Sequence, residues 1–518
     1  MPVPALTRWL AASAVALAGC AGLPEPLPRA AEPALPAADA PLARIAAASL
    51  PADAPGQSGF RLLFDGKPAF NARIALVRRA TRSLDLQVYQ FAADQTGLGL
   101  LRELRDAAQR GVRVRLLIDD LHAGGMDALL AGLSATPNAQ VRLFNPLPVR
   151  DGSVGLRLLR SLHEFARINR RMHNKLLLAD GSLAIFGGRN MVDGYFMNDP
   201  QANFLDLDLL AAGPVVSQLS AAFEAFWNSA HAYPVEQLVV PALAADEARR
   251  RFDAAVQEGT VRLGERQRDW FGRPGVLREL AQGRLTLDSA TAQVLADAPD
   301  KVDASAADRR PTSVAEQALA LLAAASDDAL LMSPYFIPGA HGLQVLQALH
   351  ERKVPVALLT NSVAATDEPL AYAGYERYRL ELLRAGVGIY ELSPTLARDS
   401  GRVAYFGDTI GRLHTKLLVI DRRRLIVGSV NLDPRSIHLN TELAVLIDSP
   451  ELAQRIARIF RFGIASGAYR LRRVDERIEW IETDWQGRET VHADEPGDDP
   501  WLRFKLWLLR PLVSEELL

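Results

Sequence analysis

The sequence predicts an α/β protein of two similar half-domains, each a mixed sheet flanked by helices, packed about a pseudo-twofold axis. Three observations predict it. First, one chemical phrase occurs twice: His173-Asn174-Lys175, Asp180 and Gly187-Gly188-Arg189-Asn190, then His414-Thr415-Lys416, Asp421 and Gly428-Ser429-Val430-Asn431. In both copies Asp follows Lys by five positions and Asn follows Asp by ten, a spaced set that marks an internal repeat. Second, strand and helix patterns alternate in the same order ahead of each copy, which implies sheets covered by helices. Third, 518 residues with 49% apolar content suffice for two large cores.

From the N-terminus, Arg8 precedes an apolar run from Trp9 to Ala18, the length of a secretory core segment and too short to span a bilayer. It ends Leu17-Ala18-Gly19-Cys20, which looks like a bacterial lipobox, so residues 1–20 read as a lipoprotein signal peptide and Cys20 as the lipidated residue. Cys20 is also the single cysteine, so no intramolecular disulfide is available. Residues 21–58 are rich in Ala and Pro and are expected to form a flexible tether. The first half-domain is assigned to 59–231, with a strand at Leu84–Phe91, a helix at Gly97–Arg110, and strands at Val112–Ile118 and Val141–Phe144. Residues 232–312 read as a connector with a helix at Leu243–Val256, a charged stretch at Arg262–Arg273 and an exposed linker at Asp297–Ser313. The second half-domain, 313–518, repeats the order with Ala329–Ser333, His341–Arg352, Val354–Thr360 and Val387–Tyr390. Its last stretch places Trp501, Phe504, Trp507 and Leu508 at helical spacing among Arg503, Lys505 and Arg510, a pattern that suits a bilayer interface or a helix docked on the core.

The repeated residues form a coherent chemical set. Asn174–Ala179 and Thr415–Ile420 read as short buried strands. Residues two apart on a strand share a face, so each copy aims an imidazole and an ammonium at one point. Imidazole transfers protons or attacks near neutral pH, and lysine holds phosphate as a point charge. Asn190 and Asn431 can donate to phosphate oxygens, and Gly187, Gly188, Gly428 and Ser429 leave room for a tetrahedral group, with Ser429 a further phosphate contact. Two His, two Lys and two Asn suit phosphoryl chemistry without a metal: one His forms a phosphohistidine and the other protonates the leaving oxygen. Aligning the later apolar runs sets Asp208 against Glu442 as carboxylates that orient the imidazoles. Asp180 and Asp421, at the far ends of the motif strands, are expected to hold local structure. No Cys or His cluster has metal spacing and no Walker or Rossmann glycine pattern occurs, so no cofactor is expected. His163 and His438 lie near the motifs, and Arg167, Arg170 and Arg171 just before His173 can hold an anionic headgroup or line a solvated loop.

This doubled H-x-K-x4-D motif, each copy followed by G-[GS]-x-N, resembles the phospholipase D superfamily over roughly residues 60–518. It is more similar to the bacterial cardiolipin synthases of the C type, on the phrases Asn169–Lys175, Gly187–Asn190, Ser333–Gly339, Tyr375–Leu383 and Asn431–Glu442. The resemblance implies two phospholipase D-like half-domains and phosphatidyl transfer between two lipids by a ping-pong route. It also implies that His173 attacks phosphorus while His414 serves as acid and base. The sequence itself leaves that order open, since the copies are nearly equivalent. Val192-Asp193-Gly194 departs from the Gly-Asp-Glu type run that relatives more often carry there.

The balance of 59 basic and 61 acidic residues argues against a nucleic-acid substrate. The expected substrates are phospholipids, phosphatidylglycerol first and phosphatidylethanolamine as an alternative, taken at a membrane surface. The leading expectation is synthesis of cardiolipin by a lipoprotein of the bacterial envelope, periplasm-facing, with the outer membrane as one destination. The alternatives are a phospholipase D hydrolase, a secreted phosphodiesterase or nuclease, and a non-catalytic lipid-binding lipoprotein. The sequence names no protein partner.

Overall fold

A computed structural model describes residues 22–504, apart from 27–28, 36–38, 240–243, 258, 260–268, 270, 304–312, 395–408, 463–466, 485, 498 and 502. The expected signal peptide, Cys20 and the C-terminal residues from 505 onward lie outside the described residues.

The half-domains are two copies of one strand order. In the first, the parallel strands Ala139–Phe144, Arg113–Asp119 and Ser83–Val88 continue into antiparallel Leu176–Ala179, Leu183–Gly187 and Asp208–Ala212. In the second, Val387–Leu392, Val356–Asn361 and Ala329–Met332 continue into Leu417–Ile420, Arg424–Gly428 and Leu443–Asp448. Each motif strand therefore lies mid-sheet and is buried throughout, which explains its unbroken apolar sequence.

The two sheets are joined edge to edge. Ser58–Leu63 pairs with Asp208–Ala212 on one side and with Asp288–Ala296 on the other. Asp288–Ala296 in turn pairs with Leu443–Asp448, so it occupies in the second half the place of Ser58–Leu63 in the first. Residues 288–296, expected to be connector, are thus an integral strand; their alternating polar and buried positions disguise a strand that carries both sheets. Ala232–Pro234, at the connector's start, likewise edges the first sheet.

The tether expectation also needs correction, because the second part of 21–58 is docked. Pro41–Ser49 is a helix, started by a proline whose missing N–H costs nothing in the first turn. Leu42 and Ala46, one turn apart, are buried in the first half's core. The Ser49 hydroxyl accepts the Leu285 N–H at 2.8 Å. Upstream, Arg29 donates to the Ala232 carbonyl at 2.6 Å and Glu32 pairs with Arg142. The Ala/Pro composition hid a segment in which Arg29, Glu32, Leu42 and Ala46 find partners on the first half-domain.

The halves exchange backbone pairing at the cleft. Ile410–Leu413, leading to His414, runs parallel to Ala202–Leu205 of the first half. Met172, leading to His173, bridges Thr441 of the second. The register is equivalent: the His414 N–H donates to the Leu205 carbonyl at 2.8 Å, and the His173 N–H to the Thr441 carbonyl at 2.9 Å.

Candidate active site

That crossed pairing decides which acid meets which imidazole. Since Leu205 and Thr441 play the same part, the residues after them, Asp206 and Glu442, are equivalents. Nδ1 of His173 lies 2.9 Å from Oε2 of Glu442, and Nδ1 of His414 lies 2.7 Å from Oδ2 of Asp206. Each half supplies the carboxylate for the other half's histidine. A carboxylate only accepts, so both rings carry the proton on Nδ1 and present Nε2 toward the cleft.

Asp208, set against Glu442 by the sequence alignment, does not reach an imidazole. It is fully buried between Arg73 at 2.9 Å and Arg189 at 3.0 Å. The physical reason is that Asp206 and Asp208 are two apart, so face alone cannot distinguish them; the pairing of Leu205 with the His414 segment does. Asp208 already lies inside the sheet, whereas Asp206 precedes it at the crossing point.

Small residues make the approach possible. A Cβ on Gly188 would sit 2.1 Å from Oδ1 of Asp206, so any side chain there displaces the acid. The equivalent Ser429 is tolerated because its hydroxyl donates to Glu442. Ser429, expected at the phosphate, is therefore committed to the carboxylate behind His173. Ser436 adds a second hydroxyl donor to Glu442 at 2.8 Å.

The lysines are placed alike. Nζ of Lys175 donates to the His173 carbonyl at 2.6 Å, and Nζ of Lys416 to the His414 carbonyl at 2.7 Å. Each lies over a tyrosine ring, Tyr89 at 5.1 Å and Tyr335 at 5.9 Å. Tyr89 also packs edge-on against His173 and Tyr335 against His414. Tyr89 is then held by His122 at 3.1 Å, while Tyr335 donates to Asp367 at 2.8 Å. Asn190 and Asn431 are buried beside this cluster. Asn190 is partly committed, its amide nitrogen donating to the Tyr195 hydroxyl at 3.0 Å.

The electrostatics are those of an anion site. Burial first, then Glu442 opposing it and Lys175 adding to it, leaves the His173 imidazole near about 4. His414 falls well below its ordinary value for burial and the nearby Lys416, Lys175 and His173. Burial lowers Lys416 to about 8 and, with Lys416 beside it, pushes Lys175 well down. Glu442 is held low despite its burial by His173 and its own donors. Neutral imidazoles face ammonium groups that repel one another, and a phosphodiester monoanion complements both.

Asp180 and Asp421 stand away from this chemistry. Asp180 accepts the N–H groups of Thr81, Arg82 and Ser83, and Asp421 those of Ser326, Asp327 and Asp328. Both occupy the left-handed region, φ 51° and 54°, which Asp tolerates better than most residues. The arginines before His173 are also engaged: Arg171 is buried against Asp119 at 2.7 Å, Arg170 donates to the Val302 carbonyl, and Arg167 binds Asn145 and Glu164. His163 is exposed beside Glu164, and His438 closes the short helix Pro434–His438.

Sequence reasoning missed Tyr89, Tyr335, Tyr195, His122, Asp206 and Asp367. A usable signal existed for the first pair, since each tyrosine comes just after the first of the three parallel strands of its half, Ser83–Val88 and Ala329–Met332.

Two crossed histidine–carboxylate pairs with lysines on a twofold α/β scaffold define a phospholipase D-type phosphotransfer site. The chain belongs to the family described as "Cardiolipin synthase, PLD-like domain", matched over residues 74–227 and 318–462. It is 36% identical to cardiolipin synthase C of Escherichia coli over 482 residues, covering 92% of this chain and 100% of that protein. It is 27% identical to a cardiolipin synthase A of Pseudomonas fluorescens over 406 residues, covering 78% of this chain and 68% of that one. In fold it is similar to the phosphatidylserine synthase of Haemophilus influenzae, with a TM-score of 0.58 over 91% of this chain and 96% of that one, at 14% identity.

Proposed function

We propose that this chain is a phosphatidyltransferase that joins two phospholipids into cardiolipin through a phosphohistidine. The observation that carries the reading is the pair of buried imidazoles, each with Nδ1 bound by the opposite half's carboxylate. The kinship with cardiolipin synthases over most of the chain supports the lipid substrate.

In this reading the donor phosphodiester lies between Lys175 and Lys416, with Asn190 and Asn431 on its oxygens. Nε2 of His173 bonds phosphorus, the ester bond to the headgroup breaks, and the leaving alkoxide takes a proton from Nε2 of His414, which His414 gains from solvent as the phosphodiester anion binds beside it. The phosphoimidazolium is stabilised by Glu442 behind it. An acceptor hydroxyl from phosphatidylglycerol then gives its proton to His414 and attacks phosphorus, and the bond to His173 breaks. Atoms and protons balance over the two steps.

The membrane partner has support of its own. Leu156, Leu159, Leu162 and Phe165 recur every third residue and make up four of the nine large apolar side chains exposed among the described residues. They lie on the three short helices Val154–Arg160, Leu162–Glu164 and Phe165–Ile168 that precede His173, with exposed Arg160 among them. Exposed apolar side chains of this kind suit insertion among lipid headgroups. Trp501 and Phe504, also exposed, stack at 5.6 Å where the amphipathic C-terminal stretch starts. No helix among the described residues is long and apolar enough to cross a membrane. The lipobox motif makes Cys20 the anchor to the periplasmic face of the envelope in this reading.

Purified protein incubated with phosphatidylglycerol vesicles is expected to yield cardiolipin and glycerol on thin-layer chromatography. Phosphatidic acid alone would sink the transferase in favour of the hydrolase, and nicking of plasmid DNA instead would favour the nuclease. Adding phosphatidylethanolamine reads the donor, and mass spectrometry of the mature N-terminus reads the lipidation of Cys20.

A further inference from the structure

The two histidines are not equivalent, and the residue five positions after each motif asparagine makes them differ. After Asn431 that residue is Ser436, whose hydroxyl donates to Glu442 behind His173. After Asn190 it is Tyr195, whose hydroxyl lies 3.3 Å from Nε2 of His414. No hydrogen bond reaches Nε2 of His173 among the described residues, so one imidazole is capped on its reactive nitrogen and the other is open.

The direction of that contact is fixed from both ends. The Gln90 N–H can only donate and points at Oδ1 of Asn190, 3.2 Å away, so the amide nitrogen of Asn190 must donate to the Tyr195 oxygen. At the other end, Asp206 can only accept, so His414 carries its proton on Nδ1 and offers a lone pair at Nε2. The Tyr195 hydroxyl is left to donate to that lone pair. The ring is held for this by stacking on Phe204 with centroids 4.5 Å apart, and by edge-on contact with His414 at 4.9 Å. It sits in the short helical turn Asp193–Phe196, tied to Asp94 through the Asp193 N–H at 2.7 Å.

We infer that Tyr195 is a positioning residue that breaks the symmetry of the site. Its hydroxyl occupies the His414 lone pair and so denies His414 attack on phosphorus, leaving His173 as the nucleophile. When His414 is protonated, the same oxygen accepts from Nε2–H and keeps the ring aimed until the leaving alkoxide takes the proton. The inference rests on the phosphohistidine reading above, because it assigns the parts within that reaction.

Tyr195→Phe is the test, since it deletes one oxygen and keeps the stacking ring. Protein mixed with phosphatidylglycerol vesicles is quenched in alkaline denaturant, and the histidine adduct is mapped by peptide mass spectrometry. The wild type is expected to carry the adduct on the His173 peptide alone. The variant is expected to carry it on both the His173 and His414 peptides, with kcat down about tenfold for one lost hydrogen bond to a charged partner and KM little changed. An adduct confined to His173 in the variant, with kcat unchanged, overturns the inference. A turnover-independent arm separates the two readings: 15N-histidine spectra of the ligand-free protein are expected to show His414 as the Nδ1–H tautomer with a hydrogen-bonded Nε2 that becomes free in Tyr195→Phe. Spectra identical in both proteins overturn the role of Tyr195. The expected spectra with no adduct or turnover on any lipid would instead refute the transferase reading.

Discussion

Replacing Glu442 with Gln keeps the shape of the side chain, removes its charge and turns one accepting oxygen into an NH2 donor, which the rotatable Ser429 or Ser436 hydroxyl can accept while the amide oxygen still takes the His173 N–H. In the phosphoimidazolium formed on His173 the two charges would lie about 4 Å apart, worth about 4 kcal/mol at an effective dielectric of about 20. That charge pairing exists only once the ring is cationic, so its loss should fall on kcat, by about a thousandfold. Asp206→Asn should act similarly through His414. Asp208→Asn is the contrast. It leaves Arg73 and Arg189 buried without their shared partner, which costs about 3–5 kcal/mol of stability rather than catalysis. The assay is initial-rate synthesis on phosphatidylglycerol vesicles, paired with thermal unfolding of each protein. Glu442→Gln and Asp206→Asn should melt near the wild type and turn over about a thousandfold more slowly. Asp208→Asn should melt several degrees lower, and its folded fraction should stay active. A catalytically dead but thermally normal Asp208→Asn beside an active Asp206→Asn would refute the crossed pairing.

Other outcomes follow from the same geometry. Lys416 must be charged to hold phosphate and is held near about 8, so kcat/KM should fall as pH rises through about 8, where an ordinary lysine would keep its proton beyond pH 10; a flat profile from pH 7 to 10 would refute it. Gly188→Ala puts a methyl 2.1 Å from Oδ1 of Asp206, so it should lower kcat about a hundredfold by displacing the acid, while Ser429→Ala, which opens space, costs far less; steady-state rates compare them. Asp180→Ala removes a buried carboxylate that accepts three backbone N–H groups and should lower the melting temperature by several degrees, with the folded enzyme still active. Leu159→Glu with Leu162→Glu should weaken sedimentation with phospholipid vesicles at least tenfold and spare turnover of a short-chain soluble phosphodiester.

The sequence by itself determined the repeat, the fold class and the chemical set. Two His, two Lys and two Asn at fixed spacing are local facts of strand and turn, and the apolar runs behind them could only be buried strands. Asp180 and Asp421 were legible as structural for the same reason, since their distance from His places them at the strand's far end. What only the tertiary structure decided are the relations between segments distant in the chain. Asp206 and Asp208 share one face and one composition, and the choice between them is made by the Leu205 carbonyl receiving the His414 N–H. Tyr195 and Ser436 occupy matching positions, yet one reaches an imidazole and the other a carboxylate, because different loops follow the two motifs. The Pro41–Ser49 helix and the Asp288–Ala296 strand escaped composition-based reading because their partners lie far off in the chain. Periodicity reports which way a side chain faces. Only the packing of two half-domains across a cleft fixes what it faces.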